Sequence, residues 1–313
     1  MKKTIKKRAF VSAIAMLIVS AIVLTSSTFA WFSMSKEAKV EQMDLTVSSP
    51  EGIQISANAS AWTASLTNDD FFNEKSTSRY KAYDGNINLL PLNLIPLSTS
   101  MRGKNSTTGV FNFYKAVLND AKYATVTLAS QTAGNDDAAG LVAFDLFFKV
   151  AAATKVYFGT SVFTDSSKSD ILTALRLGFQ PMGNTSSTDP AVATALMTTA
   201  DKSGIIYEPD SLNRSADALA SGKSANTVYA TKGINGTSAA GTVNSDFVLT
   251  NNYNETPQAT VIQSDAAASS KAFNLKAGVT KMRVYIWVEG NDVDCRNSVA
   301  GAALSVALKF TID

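Results

Sequence analysis

The sequence predicts an all-β protein: a two-layer sandwich of short strands with one short helix and long loop insertions. Three observations carry this reading. Apolar residues recur at alternate positions over short runs, which places them on one face of a strand. Clusters of Ser, Gly and Asn separate those runs, as tight turns require. Charged residues make up only 17% of the 313, against about 25% in an average soluble chain, and Ala, Ser, Thr and Asn take their place. About nine to eleven strands can be counted in this way. No period of about 20 to 50 residues recurs, so a repeat array is not expected.

Residues 1–30 read as a leader. Lys2, Lys3, Lys6, Lys7 and Arg8 precede an uncharged run from Ala9 to Leu24, followed by Thr25-Ser26-Ser27-Thr28-Phe29-Ala30-Trp31-Phe32. A basic end stays on the inner side of a membrane while the apolar run enters the export channel. Thr28 and Ala30 are small at the −3 and −1 positions that a signal peptidase reads, so the expected cut lies between Ala30 and Trp31. The alternative is an uncut signal-anchor, because the stretch from Ala9 to Phe32 carries no charge and roughly twenty apolar residues cross a bilayer. Under both, the chain from Trp31 onward is secreted or held at the cell surface, and any membrane contact is through the leader. The leader holds five of the 28 Lys and Arg residues and no Asp or Glu. Residues 31–313 therefore carry 23 basic against 26 acidic groups, a net of −3. No basic stripe is present, and nucleic acid is not an expected partner.

Residues 31–40 form a linker with Trp31, Phe32 and Met34 near its start. Met43, Leu45 and Val47 then alternate with Asp44 and Thr46 as a half-buried strand, and Ile53 and Ile55 open another. Ala57 to Tyr83 is weakly patterned. Pro91 and Pro96 rule out a regular central strand between Asn86 and Ser98. Phe111 to Asn119 and Tyr123 to Leu128 read as strands. In Leu141 to Val150, residues Val142, Phe144, Leu146, Phe148 and Val150 share a face, and Lys155 to Phe163 is expected as the hairpin partner. Ser and Asp residues at 165–170 cap a short helix at Ile171 to Leu175, which hands over to a strand through Phe179. Ile205 to Glu208 is one more strand. Asp210 to Lys271 reads as a loop-rich insertion within a single domain spanning 41–313. At the end, Met282, Val284, Ile286 and Val288 share one strand face, with Lys281, Arg283, Tyr285 and Trp287 on the other. Ala303 to Phe310 is expected as its antiparallel neighbour.

The chemistry-bearing residues are sparse. With no histidine, the commonest general base and metal ligand is missing, along with Ser-His-Asp and Cys-His arrangements. The lone Cys295 excludes an intramolecular disulfide and reads as a small hydrophobe. No catalytic residue is assigned, although 26 acidic side chains leave a hydrolase with paired carboxylates open. Glu289, Asp292 and Asp294 have spacing that suits an oxygen-preferring cation such as calcium. The same Gly, Asn and Asp residues also suit a plain turn. Tyr285 and Trp287, facing away from the aliphatic side of their strand, form either a sugar-stacking platform or a surface covered by a loop or a neighbouring subunit. Six Asn-x-Ser/Thr triplets occur, as chance allows in a chain so rich in these residues.

The junction Ser27-Thr28-Phe29-Ala30-Trp31-Phe32, followed by Met43-Asp44-Leu45-Thr46-Val47, resembles bacterial proteins with a SipW-type signal peptide, the group that includes the TasA/camelysin family of biofilm-matrix and surface proteins. The closing Arg283-Val284-Tyr285-Ile286-Trp287-Val288-Glu289-Gly290 segment, with Asp292, Asp294 and Cys295, is similar to that of related surface proteins sharing this leader. The resemblance implies a jelly-roll-like antiparallel sandwich without enzymatic activity or cofactor, polymerising with itself into extracellular fibres. It implies a donor strand running from Trp31 to about Val40 that completes the sheet of an adjacent subunit. The alternative expectation is a monomeric surface adhesin or carbohydrate-binding module using Tyr285 and Trp287.

Overall fold

Sixteen strands build the described part of the chain. The computed structural model describes residues 43–48, 52–72, 80–83, 86–89, 94, 97–104, 111–119, 123–128, 140–164, 170–197, 204–213, 259–289 and 303–312. In order they give β1 (Met43–Ser48), β2 (Gln54–Ser56), β3 (Ser65–Thr67), α1 (Asn68–Phe71), β4 (Tyr80–Tyr83), β5 (Asn86–Leu89), β6 (Ser98–Lys104), β7 (Phe111–Asn119) and β8 (Tyr123–Leu128). Then follow β9 (Val142–Val150), β10 (Thr154–Thr164), α2 (Asp170–Ala174), β11 (Leu175–Thr185), α3 (Pro190–Thr194), β12 (Gly204–Glu208), β13 (Ala259–Gln263), β14 (Ala272–Leu275), β15 (Gly278–Val288) and β16 (Leu304–Thr311).

The protein is an all-β sandwich. One sheet runs β14-β10-β16-β1-β3, and the larger one runs β13-β12-β11-β15-β9-β5-β4 with β2 also on β9. Alternation explains why they face each other. Phe144, Leu146 and Phe148 from β9, Val284 and Ile286 from β15, and Val306, Leu308 and Phe310 from β16 all enter one buried core. Aromatic edges knit the two layers, with the Phe148 and Phe310 ring centroids 4.9 Å apart at 89° and those of Phe158 and Tyr207 5.4 Å apart at 82°. Each such ring stabilises by about 1.5–3 kcal/mol through area removed from water, which suits a fold lacking any internal disulfide.

Several pairings differ from the sequence expectation. β10 is not the hairpin partner of β9: it leaves for the other sheet and pairs antiparallel with β16 and β14. β15 and β16 are not neighbours either, because β15 lies between β11 and β9 while β16 lies between β10 and β1. Both errors have one cause. An apolar face says which way a strand looks and not which layer it belongs to. The sheets are also mixed rather than purely antiparallel, since β1 runs parallel to β16 and β12 runs parallel to β13. That last pair brings residues 259–263, expected inside a loop-rich insertion, into the large sheet. A short strand, β5, forms at 86–89 just ahead of the prolines.

A further departure bears on function. The large sheet is buried on both faces over β9 and β15. A separate three-stranded sheet, β6-β7-β8, contributes Phe113 to a second core together with Leu97, Leu141, Ala143, Ile206, Tyr285 and Trp287. Beside it, α3 and the segment at 59–62 cover Phe147 and Val279. No helix among the described residues is long and apolar enough to cross a membrane.

Candidate functional site

The two main sheets do not close on each other at the side where β13 ends one and β14 ends the other. A cleft of about 330 Å³ opens there. Its apolar wall is made by Phe179, Ile205, Ile262, Phe273 and Met282, and its polar rim by Asn184, Thr260, Asn274 and Lys276. Phe273 is set by a cluster of rings, with Phe148, Phe158, Phe179 and Phe310 centroids between 4.8 and 6.4 Å from one another or from it.

Local sequence explains why the cleft is held open. The chain crosses between layers twice around β14. The first crossing, at residues 264–271, is tied by Lys271 Nζ donating to the Ser264 carbonyl at 2.6 Å, by Lys155 Nζ donating to the Ser269 carbonyl at 3.1 Å, and by the Phe158 N–H donating to the Lys271 carbonyl at 2.8 Å. The second, at 276–278, turns at Gly278 with φ of +101°, where an added Cβ would meet the Thr185 carbonyl oxygen at 2.3 Å. Asn184 secures that corner: its Nδ2 donates to the Val279 carbonyl at 3.2 Å and to Thr280 Oγ1 at 3.0 Å, with the Lys276 and Ala277 carbonyls each 3.4 Å away. On the opposite wall, β11 bulges between Pro181 and Gly183, a site where proline's missing N–H does not break a ladder.

β14 bonds to β10 along one edge, and no other described strand bonds to its second edge. Phe179, Ile262 and Met282 of the wall are buried, while Phe273 and Ile205 are half-buried, and a strand edge with no described partner can accept main-chain hydrogen bonds from an extended chain. Lys276 is the only charged residue among the described lining residues.

The ionisable groups of the large sheet sit elsewhere, on its covered outer face. Arg283 grips Asp145 with two hydrogen bonds, Nε to Oδ1 at 2.7 Å and Nη2 to Oδ2 at 2.9 Å. Lys281 Nζ lies 3.3 Å from Asp145 Oδ2 and donates to the Thr194 carbonyl at 2.6 Å. Burial lowers the Lys281 pKa, and the Asp145 charge offsets only part of that. For Arg283 burial acts downward, but the Asp145 carboxylate outweighs it and the pKa rises. Burial pushes the Tyr285 phenol up to about 12. A second pair, Arg176 and Glu208, stands 3.5 Å apart with both side chains fully buried, and Arg176 Nη1 also donates to the carbonyls of Thr173 in α2 and Leu175 at the start of β11.

No protein-family model matches the chain, and no curated protein or solved structure matches it.

The residues singled out in the sequence fare differently. Tyr285 and Trp287 are both 0% exposed. Phe113 lies over them, with ring centroids 5.3 Å from Tyr285 and 5.1 Å from Trp287, so the sugar-stacking platform is corrected to the interior of a second core. Glu289 is also 0% exposed, and its Oε2 accepts the Trp287 indole N–H at 3.2 Å. Its backbone N–H reaches the Ala174 carbonyl at 2.8 Å. Asp292 and Asp294, proposed with it as calcium ligands, lie outside the described residues. Among the described residues no three His, Cys, Asp or Glu side chains gather in a group able to hold a metal ion. Ala30, Trp31, Phe32, Met34 and Val40 also lie outside the described residues, as does Cys295. Sequence reasoning missed the cleft. Its one local signal is the spacing of Gly278 and Asn184 around short apolar runs, which reads as an ordinary turn until the two layers are assembled.

Proposed function

We propose that this protein is a secreted, non-enzymatic structural subunit of an extracellular fibre or biofilm matrix at the cell surface. It assembles with itself by strand donation from residues Trp31 to about Val40, exposed after signal peptidase cuts at Ala30. The observation that carries the reading is the apolar cleft beside the unpaired edge of β14. The main-chain groups on the β14 edge that has no described partner can bond an incoming strand, whose side chains would meet the half-buried Phe273 and Ile205 of the cleft. The tail offers Trp31, Phe32 and Met34, which are apolar side chains of suitable bulk. Among the described lining residues Lys276 is the one charged side chain.

The test is a comparison of two purified chains, one beginning at Trp31 and one at Glu41. The longer should form filaments visible by electron microscopy. The shorter should keep the same circular dichroism spectrum and remain monomeric in light scattering. Filaments from the shorter chain would overturn the reading.

A further inference from the structure

We propose that Lys281 and Asp145 condense with each other after folding, giving an amide that joins β15 to β9 covalently. This modification site is made by the chain's own side chains and does not depend on assembly into a fibre.

Strand register brings the two groups together. β9 and β15 are antiparallel neighbours in which Asp145 pairs with Arg283 and Phe147 with Lys281. Residues two apart on a strand share a face, so Asp145, Arg283 and Lys281 all point to the side covered by α3. Both strands are internal to the large sheet, between β11 and β5, and their backbones are held at a fixed spacing. Lys281 Nζ stands 3.3 Å from Asp145 Oδ2, with both side chains fully buried. Its hydrogen bond to the Thr194 carbonyl at 2.6 Å orients the amine, and the Phe147 ring lies 6.0 Å away.

Burial makes such a pair reactive in a way that an exposed one is not. Groups in contact on a rigid frame behave as though present at effective concentrations on the order of 10⁵ M or more. A dry site also excludes the water that would hydrolyse the product. Burial lowers the Lys281 pKa, towards the neutral amine that can act as a nucleophile. Condensation removes an ammonium and a carboxylate together, so the cost of keeping that ion pair out of water disappears from the native state.

The step balances within the site. A proton passes from Nζ to Oδ2, and the amine attacks Asp145 Cγ. Negative charge develops on Oδ1, where the Arg283 Nε–H already donates at 2.7 Å. A second Nζ proton joins Oδ2, the Cγ–Oδ2 bond breaks, and water leaves. The new Nζ–Cγ bond keeps the last Nζ proton as an amide N–H facing the Thr194 carbonyl, and nothing is oxidised or reduced. Arg283 loses its counter-charge, but its side chain is 15% exposed and turns to solvent on the side by which the water departs. A chain with one cysteine can form no internal disulfide. An amide between residues 145 and 281 would restrain the unfolded chain as a disulfide does, and reduction would not undo it.

Mass spectrometry tests this on the whole secreted chain, residues 31–313, before and after prolonged incubation at mildly alkaline pH. The folded protein should come to weigh one water less than its sequence. Its protease digest should contain a branched peptide joining Asp145 to Lys281. Lys281→Arg keeps a cation beside Asp145 without the amine, so it should show the full sequence mass, an unchanged circular dichroism spectrum and a lower melting temperature. A folded wild-type chain that keeps its full mass would overturn the proposal and leave a permanent ion pair. A water lost elsewhere, as in a succinimide ring, or lost equally from the Lys281→Arg chain, would overturn it too. Should that variant fail to fold, the presence or absence of the branched peptide in the wild-type digest decides alone.

Discussion

Asp145, itself fully buried, balances the buried Lys281 and the partly exposed Arg283, and its removal should be felt throughout the molecule. Asp145→Ala leaves Lys281 and the Arg283 guanidinium without their counter-charge, a loss of about 3–5 kcal/mol for a broken buried pair. Urea unfolding should show this as a lower midpoint at unchanged slope. Tyr285 gives a pH signature whose sign is fixed by burial. Its native pKa of about 12 lies above the ordinary value of 10.0, so between these the native state keeps a proton that the unfolded chain releases. The stability it contributes is complete below about pH 10 and is lost as pH rises towards 12, in total about 2–3 kcal/mol. Lys281 acts in the other direction because its pKa is lowered. Comparing the wild type with Tyr285→Phe isolates the tyrosine: the variant should lose less stability between pH 10 and 12, and parallel curves would refute the assignment. The alternation of Lys281, Arg283, Tyr285 and Trp287 opposite Met282, Val284, Ile286 and Val288 was legible in the sequence. Cover over Tyr285 and Trp287 was one of the two expectations for that face, and Phe113 supplies it from the same chain; the burial of Lys281 beside them was not legible, since a strand of alternating character looks half-exposed until a further layer covers it.

At the scale of the element, the corner after β14 tests how the cleft is kept open. Gly278→Ala forces a side chain into a left-handed backbone and against the Thr185 carbonyl, at a cost of about 1–3 kcal/mol for the backbone strain alone. Asn184→Ala removes the amide that ties three backbone carbonyls and a hydroxyl at the same corner, a loss of about 0.5–1.5 kcal/mol since these exposed and part-buried groups can turn to water. Thermal unfolding of both chains beginning at Glu41 should show lowered midpoints, and filament formation by the matching chains beginning at Trp31 should weaken. β9, β11 and β15 were readable as strands because each carries a long apolar face. α2 and its immediate passage into β11 were readable from the Ser and Asp residues that precede Ile171. β3, β4 and β13 were not, because three to five residues of mixed character acquire strand geometry only from the neighbour that pairs with them.

For the molecule as a whole, the proposal predicts that a soluble peptide of residues 31–40 competes for the cleft. Added in excess to the chain beginning at Glu41, it should raise the melting temperature in proportion to its occupancy, and added to the chain beginning at Trp31 it should shorten the filaments. No effect on either would count against the cleft as acceptor. By itself, the sequence determined the all-β class, the faces of the main strands and the scarcity of catalytic groups, because alternation and composition are properties that each segment carries locally. Only the tertiary structure decided that β10 and β16 lie in one layer and β15 in the other, that a third sheet seals Trp287, and that an apolar cleft remains beside β14. Every strand offers its neighbours the same row of N–H and C=O groups, so the choice of partner is made by how all the apolar faces are buried together, and no single segment encodes it.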